Sequence, residues 1–194
     1  MDQLLHKIKE CRVCEDYLPL GPRPVVQASS SSRILIIGQA PGTRVHKTGI
    51  PWNDPSGDEL RRWLDIGRDL FYNPAVMAIA PMGFCYPGRG RSGDLPPRPE
   101  CAPLWHEPLL KLMPNIELTL LIGQYAQKYY LKDKPKTLTE TVRNRHDYLP
   151  DYFPLPHPSP RNRYWRMQNP WFEQEVVPEL RAFVNLVFKE NYNF

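Results

Sequence analysis

Three short apolar runs, each halted by glycine or proline, limit what this chain can become. Arg33-Ile34-Leu35-Ile36-Ile37 stops at Gly38, Ala75-Val76-Met77-Ala78-Ile79-Ala80 at Pro81, and Leu118-Thr119-Leu120-Leu121-Ile122 at Gly123. They lack polar alternation and are rich in β-branched or small apolar residues, as strands buried on both faces are. Helical rhythm fills the gaps: Leu60, Trp63 and Leu64 behind Ser56-Gly57-Asp58-Glu59, which has capping-box spacing, then Pro99 to Met113 and Gln124 to Leu131. Strands alternating with helices predict a parallel sheet covered on both faces. Asp2 is expected to cap a first helix carrying Leu4, Leu5 and Ile8 and ending at Cys11, and a last short strand is expected near Tyr152-Phe153. Asn169 as cap and Pro170 at the first position open a C-terminal helix with Phe172, Val176, Leu180, Phe183, Val184 and Val187 inward. The expected fold is one α/β domain over residues 1–194, a three-layer α/β/α sandwich on a short, mainly parallel four-stranded sheet, with the polar Asn191 to Phe194 tail frayed.

Composition adds limits rather than identity. With 194 residues, 41% of them hydrophobic, the chain can bury a sizeable core. No apolar run is long enough to span a bilayer, and the start lacks a basic stretch leading into an apolar one, so a soluble cytoplasmic monomer without membrane contact is expected. A net charge of +4 suits a protein that meets polyanions but does not select one. Many of the 23 prolines sit in Leu95-Pro96-Pro97-Arg98-Pro99 and Leu155-Pro156-His157-Pro158-Ser159-Pro160, which predicts stiff loops.

In an open parallel sheet, ligands gather where loops leave the carboxyl ends of the strands. Here those loops carry Gly38-Gln39-Ala40-Pro41-Gly42 with Gly49-Ile50-Pro51-Trp52-Asn53-Asp54-Pro55-Ser56-Gly57 behind it, and His157-Pro158-Ser159-Pro160. The glycines permit tight turns and close approach to a ligand, but the spacing is neither a dinucleotide fingerprint nor a phosphate-binding lysine loop, which argues against a nucleotide cofactor. Four cysteines, Cys11 and Cys14 as C-x-x-C with Cys85 and Cys101, suit a cubane iron–sulfur cluster or structural zinc equally well by spacing. Arg89, Arg91 and Arg98 lie in the loop between the last two cysteines, and Arg161, Arg163 and Arg166 follow the histidine segment, where they can neutralise phosphates without reading sequence. Tyr164 and Trp165, interleaved with those arginines, are the aromatic wedges that such a basic stretch would offer a nucleic acid.

Gly38-Gln39-Ala40-Pro41-Gly42 and His157-Pro158-Ser159-Pro160 resemble the two active-site motifs of uracil-DNA glycosylases, and the four-cysteine order resembles that of the iron–sulfur members, families four and five. The resemblance implies a DNA glycosylase of base excision repair, bound through DNA to the nucleoid, acting on DNA that contains uracil or another deaminated base and holding a 4Fe-4S cluster, with zinc as the alternative. It implies that His157 bonds the base oxygen where charge develops, that the Gln39 and Ala40 N–H groups help polarise that oxygen, and that Asp54 orients water, although its loop differs by one residue in spacing. Gly38, Gly42, Pro51 and Trp52 would bound the base, Trp52 by stacking, while Ser159, Pro160, Arg161, Arg163, Arg166, Arg89 and Arg91 would face DNA. A helix-capping Asp54 and a core Trp52 are the competing readings. Two departures bear on mechanism. Ala40 stands where the best-known uracil-DNA glycosylases keep a water-activating aspartate, as alanine does in both iron–sulfur families, and Ala78-Ile79-Ala80-Pro81 lacks the asparagine that often reads uracil, which admits hypoxanthine as a substrate. No lysine occupies an evident Schiff-base position, so lyase activity is not expected. The rival readings are a catalytically weak or inactive module that binds damaged or abasic DNA, and a zinc-stabilised hydrolase of free nucleosides.

Overall fold

The computed structural model describes residues 1–91 and 93–189; the Asn191 to Phe194 tail lies outside the described residues. Four strands, β1 (Ile34–Ile37), β2 (Met77–Ile79), β3 (Leu118–Ile122) and β4 (Tyr152–Leu155), form one sheet in the order β2-β1-β3-β4. Among the described residues all three strand pairings are parallel, and an isolated antiparallel bridge joins Gln27 to Ile79 of β2. Ile34 of β1 lies opposite Met77 on one side and Leu118 on the other, and Thr119 of β3 lies opposite Tyr152.

Both faces are covered, as the unalternated strands require. Because successive side chains point to opposite faces, Ile34 and Ile36 enter one core and Leu35 and Ile37 the other. The first core packs against α3 (Pro55–Leu64) and the C-terminal helix α9 (Val177–Lys189), which contribute the fully buried Leu60, Trp63, Leu180 and Val184. The second packs under α1 (Asp2–Lys9), α5 (Cys101–Lys111) and α6 (Gln124–Tyr130), with Ile8, Phe84, Leu109 and Ala126. Trp63, Phe71, Phe84, Phe153 and Phe172 are almost fully shielded from water, each worth roughly 1.5–3 kcal/mol of transfer free energy, so hydrophobic burial holds the three layers together.

Several helix starts differ from expectation, each for a physical reason. Asp54, not Ser56, caps α3: proline at the next position pushes Asp54 into extended backbone, and its Oδ1 accepts the Gly57 N–H at 2.9 Å. Met1 is the cap of α1, leaving Asp2 as a favourable charge in its first turn, and α1 ends at Lys9, before Cys11. Asn169 is not a side-chain cap either. Its Nδ2 donates to the Trp165 carbonyl and its Oδ1 accepts the Trp171 indole N–H, which ties α8 (Arg163–Gln168) to a π-helical turn, Phe172–Val176, that runs into α9. Three more short helices went unanticipated: α2 (Thr43–Thr48), α4 (Arg68–Phe71) and α7 (Leu138–Arg143). Of these, α7 carries a legible signal, a capping box between Thr137 and Glu140. Among the described residues no helix is long and apolar enough to cross a membrane.

Candidate active site

The order β2-β1-β3-β4 reverses direction at β1, and a crevice opens there at the carboxyl ends of the strands. A cavity of about 680 Å3 occupies it, within the range that takes a small ligand. Each strand contributes to its wall: Gly38 to Gly42 after β1, Ile79 at the end of β2 with Pro81 beyond it, Gln124 after β3, and His157 with Ser159 to Asn162 after β4. Pro51, Trp52 and Asp54 close it from the segment leading into α3. Gly38, Gln39, Ala40, Gly42, Pro51, Trp52, Asp54, His157, Ser159, Pro160 and Arg161 thus come together as expected. Gln124 and Asp94 also line the cavity and were missed. The strand-end rule that located the other loops applies equally to Gln124, the first residue after Gly123.

Trp52 is the mechanical centre of the site. Its backbone is left-handed, with φ of 54°, a conformation that costs a non-glycine residue roughly 1–3 kcal/mol and persists only when neighbours impose it. The Trp52 carbonyl accepts bonds from the buried Arg61 guanidinium at 3.3 Å and the Tyr72 hydroxyl at 3.4 Å. Gly57 packs so tightly under that carbonyl that a Cβ there would overlap its oxygen. The indole lies over Gly38, where a Cβ would stand 2.8 Å from Cζ2, and meets the His157 ring at 5.5 Å between centroids, tilted by 32°. Gly57 in α3 thus makes room for the Trp52 backbone and Gly38 for its indole, which in turn lies against the histidine.

His157 leaves β4 against Gly123, and its carbonyl accepts the Asn162 amide at 2.7 Å. Burial pushes its imidazole below the ordinary histidine value, while the nearby Asp54 charge works in the opposite direction. A largely buried, neutral imidazole is a hydrogen-bond donor to a developing anion that carries no charge of its own before reaction. Asp94 is shifted the other way, upward, by desolvation and by the proximity of Asp54, against the pull of Arg161 and Arg89.

The basic rim divides. Arg161 lines the cavity mouth, its N–H held by Ser159 Oγ at 3.2 Å, and Arg163, Arg89 and Arg91 are exposed. Arg166 is not part of that rim. Its side chain turns inward to Glu59 at 3.6 Å and over the Trp63 ring, because α3 offers a carboxylate and an aromatic face that outcompete water. Trp165 is likewise a buttress rather than a wedge: its indole donates to Thr139 Oγ1 at 2.9 Å, and its ring packs on Phe172 and Trp171. Tyr164 remains available, with 69% of its surface exposed. Arg98 pairs with Glu100 through two bonds and covers the Tyr17 ring at 4.2 Å.

The family model of the uracil DNA glycosylase superfamily matches residues 26–181, a span that contains every cavity-lining segment from Gly38 to Asn162. The chain belongs to that superfamily. Membership places it among enzymes that hydrolyse N-glycosyl bonds. The chain is also similar to the Type-4 uracil-DNA glycosylase of Thermotoga maritima, 26% identical over 165 residues that cover 82% of this chain and 81% of that protein.

Superfamily membership directs attention to the cysteines, two of which precede the matched span. Cys14, Cys85 and Cys101 are buried, Cys11 is half-buried, and all four are free thiols. They perturb one another: Cys14 is hydrogen-bonded to Cys101, and Cys11 and Cys14 both act on Cys85 and Cys101. Burial pushes Cys85 up to about 11 and Cys101 up to about 12, so as thiols they stay protonated at neutral pH and would release protons on binding metal. Among the described residues no group of three or more His, Cys, Asp or Glu side chains is drawn together as a single metal ion needs. A tetrahedral zinc site would hold its sulfurs about 3.8 Å apart, given Zn–S bonds of about 2.3 Å. Four mutually interacting thiols, three of them buried and Cys11 half-buried, are a donor set that would suit an iron–sulfur cluster.

Proposed function

We propose that this protein is a monofunctional DNA glycosylase that removes an extruded deaminated base, uracil first, with hypoxanthine also admitted. The observation that carries the proposal is the convergence of His157, Trp52 and Asp54 on one nucleoside-sized cavity at the sheet's switch point, beside Arg161. The base enters beside Trp52 once flipped from the stack. As the bond from C1' to the base nitrogen breaks, its electron pair leaves on the base, and the negative charge is met by His157 and the N–H groups of the Gly38 to Gly42 loop. Water bonds to C1' and gives its proton to the Asp54 carboxylate, from which it passes on to the departing base. No lysine lines the cavity among the described residues, in keeping with simple hydrolysis that leaves an abasic site. Arg161, Arg163, Arg89 and Arg91 hold phosphates, and exposed Tyr164 fills the gap in the duplex. Ala80-Pro81 at the end of β2 offers no side-chain amide to insist on uracil, which supports the wider base range.

Cys11, Cys14, Cys85 and Cys101 would hold a 4Fe-4S cluster, whose contribution when bound is structural: it fastens α1 and the Tyr86 to Pro99 loop to the core. A protein prepared anaerobically should contain iron and sulfide in equal amounts. Cys85→Ala should lose both and melt at lower temperature. A wild-type protein that carries stoichiometric zinc and no sulfide would replace the cluster with a structural ion.

The reading is tested by base release from single- and double-stranded oligonucleotides that carry one uracil or one hypoxanthine, with alkali revealing abasic sites. Release from either substrate supports the glycosylase. Tight binding without release makes the chain a damage-recognition module, and turnover of free nucleosides alone makes it a nucleoside hydrolase. Asp54→Asn is the sharpest single variant, because asparagine caps helices as well as aspartate does but carries no charge. It should slow base release roughly a hundredfold or more with α3 intact and DNA binding retained. Unchanged turnover would leave Asp54 as a helix cap alone.

A further inference from the structure

Residues 88–90 pair with residues 93–95 in the manner of a hairpin, and Gly93 and Asp94 line the cavity. Leu95 N–H donates to Gly88 at 2.9 Å, Gly90 N–H to Gly93 at 2.6 Å, and Arg89 bridges Asp94 in antiparallel fashion. The hairpin touches both motif loops. Gln39 Nε2 donates to the Leu95 carbonyl at 3.3 Å, and a Cβ built on Gly42 would lie 3.5 Å from Asp94 Oδ2. Arg161 lies so close to Gly93 that a Cβ there would stand 2.5 Å from its Nη1. Asp94 thus enters the cavity between the Gly38 to Gly42 loop and Arg161, near enough to Asp54 for that charge to act on it.

We infer, on the glycosylase reading above, that Asp94 is a second catalytic carboxylate, one that stabilises the positive charge developing on the deoxyribose. A phosphate on Arg161 and a base beside Trp52 are joined through the sugar, so a carboxylate that lines the same cavity next to Arg161 faces that sugar. The two acids divide the work. Asp54 receives the proton of the water that bonds to C1' as the C1'–N pair departs with the base. Asp94, which burial pushes up while Arg161 and Arg89 support its ionised form, forms no bond and takes no proton; it supplies negative charge beside the cation. In the ground state that charge stands close to DNA phosphates and opposes binding. The cation that forms between them relieves the repulsion, so the interaction improves only as the reaction proceeds.

This arrangement has a signature that a structural role would not produce. Asp94→Asn should lower the single-turnover rate of uracil release roughly tenfold to a hundredfold. The same change should tighten binding to an uncleavable abasic analogue and steepen the salt dependence, because the Asp94 charge no longer offsets those of Arg161 and Arg89. Asp94→Glu should recover part of the rate and return the affinity to the wild-type value. An unchanged rate in Asp94→Asn, or a lower rate accompanied by weaker binding, would overturn the inference while leaving the glycosylase standing. A wild-type protein that releases no base from any oligonucleotide would overturn both.

Discussion

Alanine at position 157 is expected to slow base release roughly a hundredfold to a thousandfold while binding to uracil-containing DNA stays within about threefold of wild type. The histidine is largely buried and uncharged before reaction, so it contributes little to holding a polyanion in the ground state. Its value appears only when negative charge gathers on the leaving base, and a fixed donor in a dry pocket needs no reorganisation at that moment. The fixing is visible in the structure: the Trp52 ring on one side, Gly123 behind the Cβ, and Asn162 on the carbonyl. Single-turnover rates with saturating enzyme would isolate the chemical step. Weaker binding with an unchanged chemical rate would assign His157 to packing under Trp52 instead. His157→Asn, which keeps a donor, should lie between the two.

Gly57→Ala is expected to be among the most damaging single-methyl changes in the chain. The added carbon would overlap the Trp52 carbonyl oxygen and crowd the Trp52 Cβ at 2.9 Å, and the obstacle is backbone rather than a side chain that can swing away. Moving it breaks the bonds from Arg61 and Tyr72 that hold the left-handed turn. A loss of about 3 kcal/mol follows, which for a domain of this size lowers the melting temperature by roughly 6–12 °C. Displacing Trp52 also frees the indole from Gly38 and His157, so activity should fall even at temperatures where the variant is folded. A melting temperature within a degree or two of wild type would mean that the Trp52 turn can shift at little cost, and that its strain is not imposed by Gly57.

The sheet was legible because a strand buried on both faces leaves little choice of residue, and 34–37, 77–79 and 118–122 all sit within the apolar runs that announced them. The two motif loops were legible for the same reason, since they begin where those runs stop. Helix starts were not, because capping is decided by single residues that compete: Ser56 offered a capping box, but Asp54 next to Pro55 wins through a constraint on its own backbone. Contacts between distant segments were equally hidden. Nothing local to Arg166 tells that Glu59 and Trp63, a hundred positions earlier, will draw it from the rim. Asp94 was invisible because it reaches the cavity through a hairpin whose closure depends on Gly88, Gly90 and Gly93, and glycines in a loop do not announce where the loop will lie.

The cavity is assembled from the ends of all four strands, while the cores that hold those strands lie on the two faces of the sheet. Stability and selectivity are therefore drawn from separate sets of residues. A lineage carrying this scaffold can exchange the loop after β2, or the residue after Gly123, and change which base is accepted without repacking either core. The Gly38–Trp52–His157 contact is the exception, since it binds two loops to one ring and leaves them no independent variation. Diversification of such a fold should accordingly run along the β2 and β3 loops and spare the tryptophan.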